Sequence, residues 1–87
     1  MRLEFEAAAA EACTAIPDGD LLDKIDAVLD ELEKDPGQAK LRQYRWSDPP
    51  LWGAQVRDRV RDYLILWAPE ERDGGSLVVV YYVGPDV

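Results

Sequence analysis

Arg57, Arg59 and Arg61 stand on alternate positions of "RDRVRD", an arginine-rich stretch that runs directly into the apolar "YLILW". In an extended segment, a period of two sends all three guanidinium groups to one side of a sheet. Each is a permanently charged planar fork suited to phosphate or carboxylate oxygens, and Arg45 lies a short way upstream to add a fourth. The spacing predicts a partner- or phosphate-binding surface built from Arg45, Arg57, Arg59 and Arg61. The plainer alternative is a solvated edge strand whose charges discourage sheet-to-sheet association, with Asp58 and Asp62 neutralising part of it.

A surface of that kind needs a fold to hold it. With 87 residues, 47% of them hydrophobic and 32% charged, residues 1–87 make one small domain near the lower limit for a self-sufficient core. The absence of histidine excludes imidazole-based catalysis and the common zinc sites, and a single Cys13 excludes an internal disulfide. No metal or cofactor is expected. No run is long and apolar enough for a membrane span, and "MRLEFEAAAAEA" places acids where a signal peptide needs bases, so a cytoplasmic protein without a membrane partner is expected.

A net charge of −8 argues against general affinity for polyanions. The charge is unevenly spread, however. Residues 1–36 carry eleven acids against three bases, residues 37–61 six bases against Asp48 and Asp58, and residues 62–87 five acids against Arg72. A basic island therefore sits in an acidic chain.

The elements follow from periodicity. "RLEF" is a short strand and "EAAAAEACTAI" a helix of strong formers closed by Pro17. Asp18 or Asp20 caps a second helix, "LLDKIDAVLDELEKD", in which Leu21, Leu22, Ile25, Val28, Leu29 and Leu32 make one apolar face. Its other face is rich in carboxylates, a solvated surface or a dock for a basic partner, and Pro36 and Gly37 end it. Beyond it, "AKLRQYRW", "WGAQVRDRV", "DYLILWA" and "SLVVVYYVG" read as four strands, the last two joined by the turn "PEERDGG". "WSDPPLWG" reads as a long rigid connection, with its two indoles forming a lid over one end of the core or a lip for a partner. The fold class is α+β: two N-terminal helices on one face of a small, curved, mostly antiparallel sheet in the order β-α-α-β-β-β-β. Cys13 reads as a small buried apolar residue.

The order of these elements, the helix end "LEKDP" at residues 32–36, the strand beginning at Tyr63 and the closing Val83–Gly84 together resemble the RelE/ParE superfamily of toxins from bacterial type II toxin–antitoxin modules. The resemblance spans almost the whole chain. It implies a curved sheet whose concave face, in the RNA-cleaving members, holds basic residues around ribosome-bound messenger RNA, and an antitoxin that wraps around this body.

The departures bear on activity. Members of the superfamily carry Arg after the strand tyrosine, a basic residue two positions beyond the last strand's glycine and, in the nucleases, a tyrosine in the tail; this chain has Leu64 and Asp86 and reads no further than Val87. Cleaving RNA through its 2′-hydroxyl requires a base, donors for the phosphorane's charge and an acid for the leaving oxygen. Leu64 supplies none of these. Arg57 falls near the basic catalytic position of the nucleases, so Arg57 and Arg61 with Tyr82, or Tyr81, are the candidates for a rearranged site.

Three readings follow. The first is a toxin-like protein that works by binding a macromolecular partner, as the gyrase-poisoning branch does, with an antitoxin as companion. The second is a metal-independent, ribosome-dependent messenger RNA endoribonuclease with a rearranged site. The third is a non-toxic acidic interaction or regulatory module sharing the fold.

Overall fold

The computed structural model describes residues 2–48 and 50–86. The chain runs β1 (Arg2–Phe5), α1 (Ala7–Thr14), α2 (Gly19–Lys34), a 3-10 turn (Ala39–Arg42), β2 (Tyr44–Ser47), β3 (Pro50–Val56), β4 (Tyr63–Arg72) and β5 (Gly75–Pro85). The strands form one five-stranded sheet in the order β1-β5-β4-β3-β2. β1 lies parallel to β5 and every other pair is antiparallel. The architecture is the expected α+β one, with both helices on a single face of the sheet.

Periodicity accounts for α2. Leu21, Ile25, Leu29 and Leu32 recur every three or four residues and are buried, while Asp18 caps the first turn by accepting from the backbone N–H groups of Asp20 at 3.0 Å and Leu21 at 3.3 Å. At the other end Asp35 accepts from the Gly37 N–H at 3.0 Å and turns the chain. In one core with α1 and α2 lie Ala54, Val56, Ile65, Trp67, Val78, Val80 and Val83 from three neighbouring strands. Trp67 is fully buried and its indole N–H donates to the Leu41 carbonyl at 2.8 Å, so the one polar atom of the largest core side chain has a partner. Cys13 is half-buried against this core, and desolvation, helped by Asp26, raises its thiol pKa.

Four expectations are corrected. "AKLRQYRW" is not one strand: Ala39–Arg42 coils into a 3-10 turn that drives Leu41 into the core and lays the Arg42 guanidinium over both Trp52 and Trp67, 5.0 and 5.5 Å from their ring centroids. Arg57, Arg59 and Arg61 do not lie on a strand. β3 ends at Val56, paired to Tyr63, and residues 57–62 form a loop. There the Asp58 carboxylate accepts from Lys24 Nζ of α2 at 2.9 Å, which ties the chain toward the helix layer and away from the ladder.

The turn between β4 and β5 is shorter than "PEERDGG". Strand pairing continues through Arg72↔Gly75, leaving Asp73 and Gly74 with φ of 54° and 76°, the left-handed pair that a tight two-residue hairpin requires. Pro69 is tolerated in β4 because the pairing with β3 extends only as far as Trp67, so Pro69 has a strand on one side alone. Finally, "WSDPPLWG" is a tight hairpin, with Ser47 paired to Pro50; Pro49 lies outside the described residues. Trp46 is 49% exposed and so is no lid, whereas Trp52 packs against the core.

Candidate functional site: the helix-free face of the sheet

The alternation that sends Ile65, Trp67, Val78 and Val80 under the helices sends Leu64, Leu66, Ala68, Leu77 and Val79 to the opposite face, which no helix covers. Leu77 and Val79 are nevertheless fully buried. Register explains their cover: Leu77 lies between Arg2 and Glu70, and Val79 between Glu4 and Ala68. Long side chains lay their methylenes over these aliphatics and join their charged ends above them. Arg72 is the hub. Its guanidinium reaches Glu70 at 3.0 Å, Glu4 at 3.4 Å and Glu6 at 3.6 Å, and Arg2 meets Glu4 at 3.3 Å.

A β-bulge opposite Leu66 and Trp67 brings both Tyr81 and Tyr82 to this face. The Tyr81 phenol donates to Glu70 in a short hydrogen bond. That bond, with Arg72, holds the Glu70 carboxyl below its ordinary range, and it raises the Tyr81 phenol above its own. A phenol whose proton is held by an ionised carboxylate is a poor base at neutral pH. This end of the face is closed and its charges are paired.

The other end is open. Trp46 of β2, Leu64 and Leu66 of β4, Tyr82 and Pro85 of β5, and Asp86 line a cleft of about 200 Å³. Two glycines shape it. A β-carbon on Gly53 would lie 2.7 Å from Tyr44 Cβ and 3.2 Å from Leu64 Cδ1, and one on Gly84 would lie 2.7 Å from Tyr82 Cζ. Gly84 thus lets the Tyr82 ring lie down on its own strand, where its hydroxyl donates to the Pro85 carbonyl at 3.1 Å. At the rim, Gln55 donates through Nε2 to Asp62 at 2.9 Å and to Asp86 at 3.3 Å, while the Asp86 N–H donates to the Asp62 carbonyl at 2.9 Å. The Gln55 amide holds two carboxylates at one corner of the cleft.

The arginines of the sequence reading are elsewhere. Arg57 lines a concavity of about 320 Å³ with Val28, Glu31, Lys40, Leu41 and Gln43, and Arg61 borders a different one with Ile16, Asp18, Leu21 and Tyr63. Tyr82 belongs to the cleft, so Arg57, Arg61 and Tyr82 line three separate concavities. Arg59 is exposed beside Val60. Arg45 stacks over Trp52, 5.2 Å from the ring centroid. Arg57, Arg59 and Arg61 make no side-chain ion pair among the described residues.

Sequence reasoning missed the cleft. Its signal was the unbroken apolar run from Tyr63 to Pro69 of β4: a stretch apolar at every position has two faces to bury, and helices on one side can cover only one.

Fold and site together define an α+β protein with one face of its sheet sealed by helices and the other half-open. No family model, no curated protein and no solved structure matches the chain. Among the described residues no helix is long and apolar enough to cross a membrane, and no group of side chains is arranged to hold a metal ion.

Proposed function

We infer that the chain is a toxin-like protein of a type II toxin–antitoxin module that acts in the cytoplasm by binding a macromolecular partner, with the open end of the helix-free face as its docking surface. The observation that carries this reading is the cleft itself. Trp46 and Tyr82 are 49% and 38% exposed beside Leu64 and Leu66, the kind of aromatic anchor that dominates protein interfaces. The occupant is an antitoxin segment with an apolar anchor and basic flanks, because Asp62 and Asp86 form the rim and the chain carries −8 overall.

The same face argues for binding rather than cleavage. Where the nuclease members of the resembled superfamily hold cations, this chain has Leu64 and Asp86, and the hydroxyl protons of Tyr81 and Tyr82 are both committed to acceptors. Fold alone does not fix function, so the test addresses the face. The chain is co-expressed with the product of the adjacent open reading frame and the two are purified together. A stable complex that Trp46→Ala and Tyr82→Ala weaken without unfolding the chain is expected. Absence of a complex, or one indifferent to both substitutions, overturns the docking surface. Codon-periodic cuts in ribosome-bound messenger RNA that vanish in Arg57→Ala would overturn the binding-only mechanism.

A further inference from the structure

We propose that the cleft on the helix-free face is a binding site for an alkylated ammonium group, the head of a small organic cation. Of the cleft's six lining residues, five present aromatic or aliphatic surface and the sixth, Asp86, presents a carboxylate; no lysine or arginine is among them. The Tyr82 hydroxyl, which could have served a ligand as donor, is already engaged with the Pro85 carbonyl. A ligand that fits must therefore be bulky and apolar, carry positive charge and ask for few hydrogen bonds. A tertiary or quaternary ammonium satisfies all three conditions: its charge is spread over methyl groups, so it loses little by leaving water and gains from aromatic faces and a nearby anion.

The ring positions serve that recognition. Tyr82 is pinned flat along β5, since only Gly84 leaves room beneath Cζ and Cε1, and one face of a ring so placed is turned away from the strand toward the cleft. Trp46, 49% exposed on the edge strand, supplies the indole, the aromatic group with the strongest attraction for cations. Asp86 is fixed by the Gln55 amide through Oδ2 and by its own N–H to Asp62, and Oδ1 makes no hydrogen bond among the described residues. Asp62 adds a second carboxylate behind the first, on the same Gln55 nitrogen. The cavity of about 200 Å³ admits a trimethylammonium head.

An anionic ligand and a polyhydroxylated neutral one are excluded by the same list. An anion would meet Asp86 and Asp62 with no cation to offset them, and a sugar-like neutral would find few polar groups to satisfy its hydroxyls. A ligand of this class goes beyond the partner-binding reading. The two share a face but not a test, since small-cation binding is measured on the chain alone and partner capture on the complex.

The experiment is a titration of the isotopically labelled chain with choline, following the Trp46 indole N–H and the Tyr82 and Asp86 amides by NMR, beside 3,3-dimethylbutan-1-ol, which has the same shape without the charge. Saturable shifts confined to the cleft are expected with choline, and binding of the alcohol weaker by roughly threefold to thirtyfold, the range a cation–aromatic contact supplies. Asp86→Asn and Trp46→Ala should each weaken choline by a similar factor, and Trp46→Phe should restore most of the loss while leaving the remaining spectrum unchanged. Equal affinity for choline and the alcohol, no saturable shift at Trp46 with choline in large excess, or a folded Asp86→Asn chain that binds as tightly as the parent would each overturn the proposal.

Discussion

The two faces of the sheet bury comparable aliphatics by different means. On one side Ile65, Val78 and Val80 are fully buried under the helix layer; on the other Leu77 and Val79 are just as buried, at positions flanked by the long side chains and paired charges of Arg2, Glu4, Glu70 and Arg72. The helix cover is apolar and indifferent to salt. The charged cover depends on protonation and ionic strength, and it stops short of Leu64 and Leu66, where the cleft begins. Equal burial thus conceals unequal robustness, and the less robust side is the one that carries the candidate site.

The comparison breaks most severely at the helix-covered face. Trp67→Ala removes a fully buried indole, its hydrogen bond to Leu41 and one of the two rings under Arg42, and should destabilise the chain by about 3–5 kcal/mol. Urea denaturation measures it. A loss near that of an ordinary surface substitution would mean that the two faces do not differ as described.

Next come the two glycines of the open face, which separate a backbone constraint from a side-chain one. At Gly53 an added methyl meets the Cβ of Tyr44, which cannot swing away without moving β2; at Gly84 it meets the far end of the Tyr82 ring, which can lift. Gly53→Ala should cost about 1–3 kcal/mol as overpacking does. Gly84→Ala should cost distinctly less while displacing Tyr82 and abolishing cleft binding. Similar stability losses at both positions would contradict the distinction.

A smaller effect lies in the charged cover and reads as pH dependence. Glu70 is depressed below its ordinary pKa of 4.5, first by Tyr81 and then by Arg72, so its contribution is present above that value and is lost as pH falls through the lower folded-state pKa. Tyr81 is raised above its ordinary 10.0, so the same bond is intact below pH 10 and weakens as the phenol ionises. Tyr81→Phe should therefore lessen the loss of stability on the acid side and lessen the alkaline fall, while leaving the helix-covered core untouched. Thermal melts from acid to alkaline pH, parent beside variant, decide it; parallel profiles would show that the bond contributes nothing to folding.

What could be read from the sequence was local. The α2 stripe from Leu21 to Leu32 and its Asp18 cap lie within single turns of chain, and the apolar runs of β4 and β5 announce themselves. What could not be read depended on distant partners. "RDRVRD" has the alternation of a half-exposed strand, yet it lies in the loop where β3 turns back to β4, with Asp58 held by Lys24, 34 residues away. "PEER" has the composition of a turn, yet Arg72 is held in register by Glu4 and Glu6 of the first strand and its linker. The cleft depends on a bulge that turns Tyr81 and Tyr82 to one face, an insertion visible only once β4 and β5 are paired.

The smallest effect concerns Arg57, Arg59 and Arg61. Off the strand, Arg57, Arg59 and Arg61 lose the strand alternation that would align them: Arg57 borders α2 and the 3-10 turn, and Arg61 borders the loop between the helices. Arg57 and Arg61 border separate concavities, and none of the three arginines lines the cleft. Replacing all three by Gln should change stability by no more than about ±0.5 kcal/mol at each site. If the cleft is the docking surface, affinity for the product of the adjacent open reading frame should stay unchanged at low and at moderate salt, because exposed charges remote from an interface are screened. A steep loss of affinity in the variant at low salt, fading as salt rises, would return these arginines to the binding surface and shift the docking site from the aromatic cleft to the loop between β3 and β4.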